Sequence, residues 1–169
     1  MQTIMFGLLA VTAVVSAVLM ITRKNPVYSI LWLVLAFFCF AGLYVLLGAN
    51  FLAAIQIVVY AGAIMVLFLF VVMMLNLREP EKLEERSPLW VGMGTIVGLG
   101  LGLVLLAYFV RSKAGVGMVE PSEQAYAMGS ATWLGKELFT TYVLPVEIAG
   151  VLLLAAVIGA VALAKKTRV

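Results

Sequence analysis

Five long apolar runs, separated by shorter segments that carry nearly all of the charged residues, dominate the pattern along the chain. An α-helix rises about 1.5 Å per residue and needs about 20 residues to cross the hydrocarbon core of a bilayer. The runs therefore predict an all-α integral membrane protein with one transmembrane domain over residues 1–169. Its five transmembrane helices are expected at about residues 2–22, 26–47, 51–77, 89–110 and 144–164.

The third run, Phe51 to Leu77, is the longest and has an unusual centre, Tyr60-Ala61-Gly62-Ala63. A glycine in mid-helix beside a polar group weakens the local hydrogen-bond ladder, so a π-bulge is expected here. Close packing against another helix is the alternative explanation of Gly62. Gln56 and Tyr60 are four residues apart and are expected on one face, where they bond each other, water or a neighbouring helix, or only fix packing.

The distribution of basic residues predicts the sidedness of the chain. If the N-terminus lies outside, the cytoplasmic segments contain eight of the Lys and Arg residues and the external segments contain three. Cytoplasmic segments of membrane proteins are enriched in Lys and Arg. We therefore expect the N-terminus outside and the C-terminus in the cytoplasm, and we interpret the net charge of +3 as a topology signal and not as a nucleic-acid surface.

Composition limits the chemistry that this chain can perform by itself. Hydrophobic residues make up 65% of the sequence, which contains no His, no Asp and a single Cys, Cys39, inside an apolar run. Haem, iron–sulfur and zinc sites need such ligands, so we expect no metal or cofactor site built from this chain alone. We also assign it no catalytic residue, because seven of its eight Glu residues lie in loops.

Two features point to contacts beyond a single helix. Glu147 is the only carboxylate in a spanning run, where an ionisable group faces a partner or a proton path; an interfacial position reached by water is the alternative. Gly94, Gly98 and Gly102 recur every four residues in the fourth run and predict a groove for close helix packing, inside the chain or against another chain.

Several segments resemble one family of proteins. The run from Ile57 to Leu77, IVVYAGAIMVLFLFVVMMLNL, resembles the third helix of a membrane subunit of respiratory complex I, the proton-pumping NADH:quinone oxidoreductase. This subunit is called J in bacteria and is equivalent to the sixth mitochondrially encoded subunit. The Asn25-Pro26-Val27 start of the second helix, the Gly48-Ala49-Asn50-Phe51 turn and residues 142–149 also resemble that family.

The resemblance implies that other subunits of the complex bind the NADH, FMN, iron–sulfur clusters and quinone. It implies the A-, H-, K- and N-type membrane subunits and the lipid bilayer as partners, no nucleic acid, and a multi-pass location in the bacterial inner membrane. It further implies a π-bulge near Tyr60 and Gly62 whose conversion towards α-helix makes or breaks a water-filled proton path. Some relatives carry Glu at the position of Gln56, so a protonation role does not carry over to that residue.

These observations lead to one hypothesis and two alternatives. The third helix gates a proton path through Tyr60, Gly62, Met65, Val66 and Phe68, and the ionisable groups of the path belong mostly to neighbouring subunits. One alternative is a small free-standing transporter, against which the lack of an internal repeat counts. The other is a structural membrane subunit of another redox-driven ion pump.

Overall fold

A computed structural model describes residues 1–75, 88–111 and 122–165, and every regular element in these residues is helical. The helices are α1 (Gln2–Thr22), α2 (Pro26–Leu46), α3 (Asn50–Ile55), a π-helical segment (Gln56–Ile64), α4 (Met65–Met74), α5 (Pro88–Arg111), α6 (Glu123–Met128), α7 (Ala131–Thr140) and α8 (Val143–Ala164). We call the continuous helix made by α3, the π segment and α4 the third span.

Four of these helices are long and apolar enough to cross a membrane: α1, α2, the third span over Asn50–Met74, and α8. The expected all-helical, multi-pass class is therefore confirmed. Helix α5 is 24 residues long, and its described apolar stretch covers Gly92–Val104. Five crossings and the sidedness of the termini stay predictions, and residues 76 and 77 of the predicted third helix lie outside the described residues.

Local hydrogen bonds fix the hairpin formed by α1 and α2. The Asn25 side chain accepts from the Val27 N–H at 2.9 Å, and Pro26 occupies the first helical position, where its missing N–H costs nothing. The Ser29 hydroxyl donates to the Met20 carbonyl at 2.6 Å and so joins the start of α2 to the end of α1. This hairpin places the two helices side by side.

Small residues allow α1 and α2 to approach closely. A Cβ atom built on Gly42 of α2 would lie 2.9 Å from Cδ1 of Leu9 on α1, so a side chain at this position would have to displace the leucine. Close approach at small residues is the usual way in which membrane helices gain packing contacts. The buried side chains of this pair belong to Ala13, Ser16, Ile30, Ala36, Cys39 and Ala41.

A tight turn brings the third span back along α2. Gly48 has a φ of 77°, which glycine adopts without strain, and the Ala49 N–H donates to the Tyr44 carbonyl at 2.9 Å. The third span then contacts α2 along α3, the π segment and α4. The first 75 residues therefore form a bundle of three spans with α2 in the middle.

The C-terminal helices are organised differently. Two serines, Ser122 and Ser130, cap α6 and α7 by accepting from backbone N–H groups of the first turns, and α7 packs against α8. No side chain of α8 is buried, and every α5 residue whose burial is described is exposed. The bundle of the first three spans thus supplies most of the internal packing that the described residues show.

Candidate functional site

The backbone ladder changes its step inside the third span. The Gln56 N–H faces the Ala53 and Leu52 carbonyls, and Leu52 lies four residues back, as in an α-helix. The Met65 N–H instead faces the Gly62 and Tyr60 carbonyls, three and five residues back. By Leu75 the ladder has returned to a four-residue step, with a bond of 3.0 Å to the Val71 carbonyl. One extra residue is therefore accommodated between Gln56 and Met65.

The pattern of burial follows this widened turn. The side chains of the third span that are buried are Ala53, Gln56, Ala61, Met65 and Val72, at intervals of three, five, four and seven residues. Intervals of three, four and seven keep one face of an α-helix, whereas the interval of five occurs only because the segment is π-helical. The widened turn thus keeps both ends of the third span facing its own chain.

Gln56 and Tyr60 do not form the pair that their spacing predicts. Gln56 is buried, whereas Tyr60 is 46% exposed, and no hydrogen bond joins their side chains. The cause is the π ladder, which sets Ala61 and not Tyr60 in line with Gln56. Tyr60 instead packs edge-on against Phe37 of α2, with ring centroids 5.9 Å apart and an interplanar angle of 71°. Such an aromatic pair stabilises a contact by about 1 kcal/mol beyond area burial.

A side chain at Gly62 would lie close to the backbone of the π segment. A Cβ atom added there would be 3.2 Å from the Ile57 carbonyl oxygen, five residues earlier. Apart from the helix backbone within four residues of Gly62, no other described atom lies within 4 Å of it. The nearest obstacle is thus the backbone of the π segment itself. Among the described residues, close packing against a second helix does not explain this glycine.

The remaining predicted gating residues point in two directions. Met65 is buried, whereas Val66 and Phe68 are exposed on the surface of the chain, with 62% and 48% of their area accessible. A change of one residue in the ladder rotates the helix that follows by about 100°, since an α-helix has 3.6 residues per turn. A rotation of that size would turn Met65 away from its buried position and bring a side chain that is now exposed into its place.

The other predicted residues lie away from the π segment. Glu147 is the fifth residue of α8, about 6 Å along the helix from its start, and its side chain is exposed. Gly94, Gly98 and Gly102 are all in α5, and a Cβ atom on any of them would meet no described atom within 4 Å. The glycine groove therefore packs against nothing in the described part of this chain.

The sequence interpretation missed one contact of this region. Gly129, between α6 and α7, is buried against the turn that precedes the third span, and its carbonyl accepts from the Phe51 N–H at 3.2 Å. The local signal is present, because a glycine between the two capping serines, Ser122 and Ser130, predicts a corner between short helices. What the corner contacts is a long-range property that no local pattern contains.

The described residues contain no cluster of three or more His, Cys, Asp or Glu side chains that could bind a metal ion. Cys39 is a buried free cysteine in the interior of α2. The features that distinguish this region are therefore backbone geometry and packing, together with two polar side chains, Gln56 and Tyr60.

Comparison with known proteins gives one consistent result. The family described as NADH-ubiquinone/plastoquinone oxidoreductase chain 6 matches residues 16–163. NADH-quinone oxidoreductase subunit J of Pseudomonas aeruginosa is 40% identical over 159 residues, which cover 92% of each chain. The subunit J of Escherichia coli K12 is 36% identical, covering 96% of this chain and 86% of its own. NADH-ubiquinone oxidoreductase chain 6 of Marchantia polymorpha is 39% identical over 95% of this chain and 85% of its own.

Proposed function

Because the chain belongs to the NADH-ubiquinone/plastoquinone oxidoreductase chain 6 family, we propose that it is a non-catalytic membrane subunit that couples quinone reduction to proton translocation in that complex. In this proposal the third span gates a water-filled proton path. The cofactors NADH, FMN, iron–sulfur clusters and quinone bind to other subunits. The resemblance seen in the sequence to the complex I subunit is confirmed by these relatives.

The observation that carries the gating proposal is the change of ladder between Gln56 and Met65. A π-helical segment contains one residue more than the α-helical turns it replaces, so its conversion to α-helix must rotate one flanking helix about its axis by about 100°. Such a rotation of α4 moves Val66 and Phe68 out of their present positions. In one state apolar side chains lie across the path and keep it dry. In the other state they have rotated away, and water enters the path.

Tyr60 and Gly62 have separate roles in this proposal. The edge-on contact with Phe37 holds the middle of the π segment against α2 while the ladder changes. Gly62 has no Cβ atom that would crowd the Ile57 carbonyl oxygen in the π form. Gln56, buried on the same face as Ala61, supplies an amide beside the widened turn but no titratable group.

A contact outside the π segment supports five crossings. Gly129 bonds to Phe51, so the turn before the third span and the segment that contains α6 lie on the same side of the membrane. An even number of crossings must separate two segments on one side. If the third span crosses, α5 must cross as well, and the chain has five spans with its termini on opposite sides. The excess of Lys and Arg then favours a cytoplasmic C-terminus.

The exposed faces of α5 and α8 are assigned to neighbouring subunits, which we expect to be of the A-, H-, K- and N-type. The groove of Gly94, Gly98 and Gly102 is open to a partner helix. Glu147 is exposed in a span, where an unpaired carboxylate is costly, so we expect a hydrogen-bond donor or a basic group of a partner beside it.

Substitution of Gly62 by valine tests the gating proposal. The added side chain would press on the Ile57 carbonyl in the π form and so favour the α ladder. A contact that costs about 1.4 kcal/mol shifts the equilibrium tenfold, and quinone reduction and proton pumping should both fall by a similar factor. The measurement is both rates in membranes, with NADH oxidation by an artificial electron acceptor as evidence of assembly.

Gly7→Val is the matched control, because a Cβ atom at Gly7 meets no described atom within 4 Å and lies in α1, outside the third span. It should leave both rates unchanged. Normal turnover and pumping in a fully assembled Gly62→Val complex would contradict the gating proposal.

A further inference from the structure

The corner between α6 and α7 lies directly on the turn that leads into the third span. A Cβ atom on Gly129 would collide with the Gly48 carbonyl and would be only 2.9 Å from the Ala49 Cα atom. Gly129 is buried in this contact, and its carbonyl accepts from the Phe51 N–H. Backbone therefore touches backbone here, and the fit requires glycine in the corner.

This bond satisfies part of a helix end that has no other cap. The first N–H groups of a helix lack partners within the helix, and α3 has no side-chain cap at its N-cap residue, Ala49. The Ala53 N–H is the first N–H group of the helix that donates to a carbonyl of the preceding turn, that of Ala49 at 3.0 Å. Phe51 instead obtains its acceptor from a segment far along the chain, so the start of the third span is fixed by tertiary structure.

The corner itself is held by several local bonds. The Ser122 hydroxyl accepts from Ala125, and the Ser130 hydroxyl accepts from Trp133, each at 3.2 Å. The Gly129 N–H donates to the Ala125 carbonyl at 2.9 Å, so both the N–H and the C=O of Gly129 are hydrogen-bonded. These bonds orient the Gly129 carbonyl towards the third span and resist its rotation.

We propose that Gly129 is a positioning residue that holds the first turn of the third span, so that any change between π and α ladders rotates α4 and not α3. The inference rests on the proposed gating function. When the hydrogen-bond ladder changes in the middle of a helix, either of the two flanking helical segments can rotate about the axis. The bond from Phe51 to Gly129 opposes rotation of the α3 end, whereas the described residues show no equivalent bond from α4 to the C-terminal helices. The rotation is therefore directed to Val66 and Phe68.

Substitution of Gly129 by alanine tests this assignment. The φ of Gly129 is −77°, which alanine adopts freely, so any effect comes from the contact with the turn and not from backbone strain. The added methyl group must push the corner away from Gly48. In the purified, assembled complex we expect the Phe51 amide to exchange with deuterium about fivefold faster, the factor for loss of one ordinary hydrogen bond. We also expect fewer protons pumped per NADH oxidised.

Gly135→Ala is the matched control, because Gly135 lies in α7 and a Cβ atom there meets no described atom within 4 Å. It should change neither amide exchange nor pumping. If Gly129→Ala prevents assembly, Phe51→Pro removes the same hydrogen bond without adding bulk to the corner, at a first-turn position where proline is tolerated. It should reduce pumping per NADH oxidised in the same way.

The outcomes separate this inference from the proposed function. Unchanged exchange at Phe51, or faster exchange with normal pumping, would overturn the role of Gly129. If Gly62→Val impairs coupling in parallel measurements while Gly129→Ala does not, the gating function stands and only the positioning role fails. If both variants pump normally, the gating function and the positioning role of Gly129 both fail.

Discussion

The third span and α8 are comparably long and apolar, yet they relate to the rest of the chain in opposite ways. The third span buries five side chains, and α8 buries none. Small residues do not explain the difference, because α8 also contains Gly150 and Gly159, and neither has a described atom within 4 Å of an added Cβ. Apolar helices can cross a bilayer without internal contacts, since lipid is as apolar as a neighbouring helix. Hydropathy therefore identifies a span but does not identify its partner.

The comparison assigns different tasks to the two regions. In the bundle of α1, α2 and the third span, the chain supplies its own contacts around the π segment. In α5 and α8 it presents open surfaces, on which we place the contacts with neighbouring subunits. The proposed motion of the third span would need a stable support, which α2 with its tightly packed partner α1 can provide.

The largest expected effect comes from filling the closest contact inside the bundle. Gly42→Leu would force Leu9 away and overpack the interface between α1 and α2, at a cost of about 1–3 kcal/mol. The amount of the chain in membranes should fall whether or not partner subunits are co-expressed. Gly98→Leu in α5 is the matched variant and should lower only the amount of assembled complex. If the Gly98→Leu chain were also lost in the absence of partners, the glycine surface of α5 would be packed inside this chain and not open to neighbouring subunits.

A smaller effect is expected at the charged position of α8. Glu147→Gln retains hydrogen bonding but removes the charge, and we expect it to weaken association with the complex by about 1 kcal/mol, the scale of interhelical polar contacts in membranes. Quantitative native electrophoresis of membrane extracts measures the assembled fraction. Glu123→Gln, at an exposed position in α6, should have no effect. Equal behaviour of the two variants would favour the interfacial explanation of Glu147.

An effect of similar size, in the opposite direction, is a gain in stability. The Ser16 hydroxyl is fully buried between α1 and α2 and has no hydrogen-bond partner among the described residues. Ser16→Ala removes this unsatisfied group and should stabilise the bundle by about 1 kcal/mol. The thermal midpoint of the chain in detergent measures it. Thr12→Ala is the control, because the Thr12 hydroxyl already donates to the Leu8 carbonyl at 2.7 Å. A destabilised Ser16→Ala chain would mean that the hydroxyl has a partner.

Local chemistry allowed much of the fold to be predicted. The Asn25-Pro26 pair indicates the start of the second helix, and Gly48 indicates the turn after it, because capping and positive φ are properties of a few adjacent residues. The lengths of the apolar runs indicate the spans, because they too can be read from continuous stretches of the sequence. A disturbed ladder near Gly62 was also expected from its neighbours, although a bulge of one turn is shorter than the nine-residue π segment of the structure.

The remaining features could not be predicted because they depend on distant parts of the chain. A four-residue spacing places Gln56 with Tyr60 only while the helix is regular, and the π ladder replaces that pair by Gln56 and Ala61. The contact between Gly129 and Phe51 joins segments on either side of α5. Nothing among the described residues packs on the groove of Gly94, Gly98 and Gly102, and no local pattern identifies its partner.

In the proposed function the third span alternates between two ladders, and the structure of the whole complex in a resting state and during turnover tests this directly. We expect the Met65 N–H to bond to the Tyr60 carbonyl in one state, as here, and to the Ala61 carbonyl, four residues back, in the other. Val66 and Phe68 should then turn by about 100° around the helix axis. The same Tyr60 bond in every state of a complex that pumps protons would contradict the account.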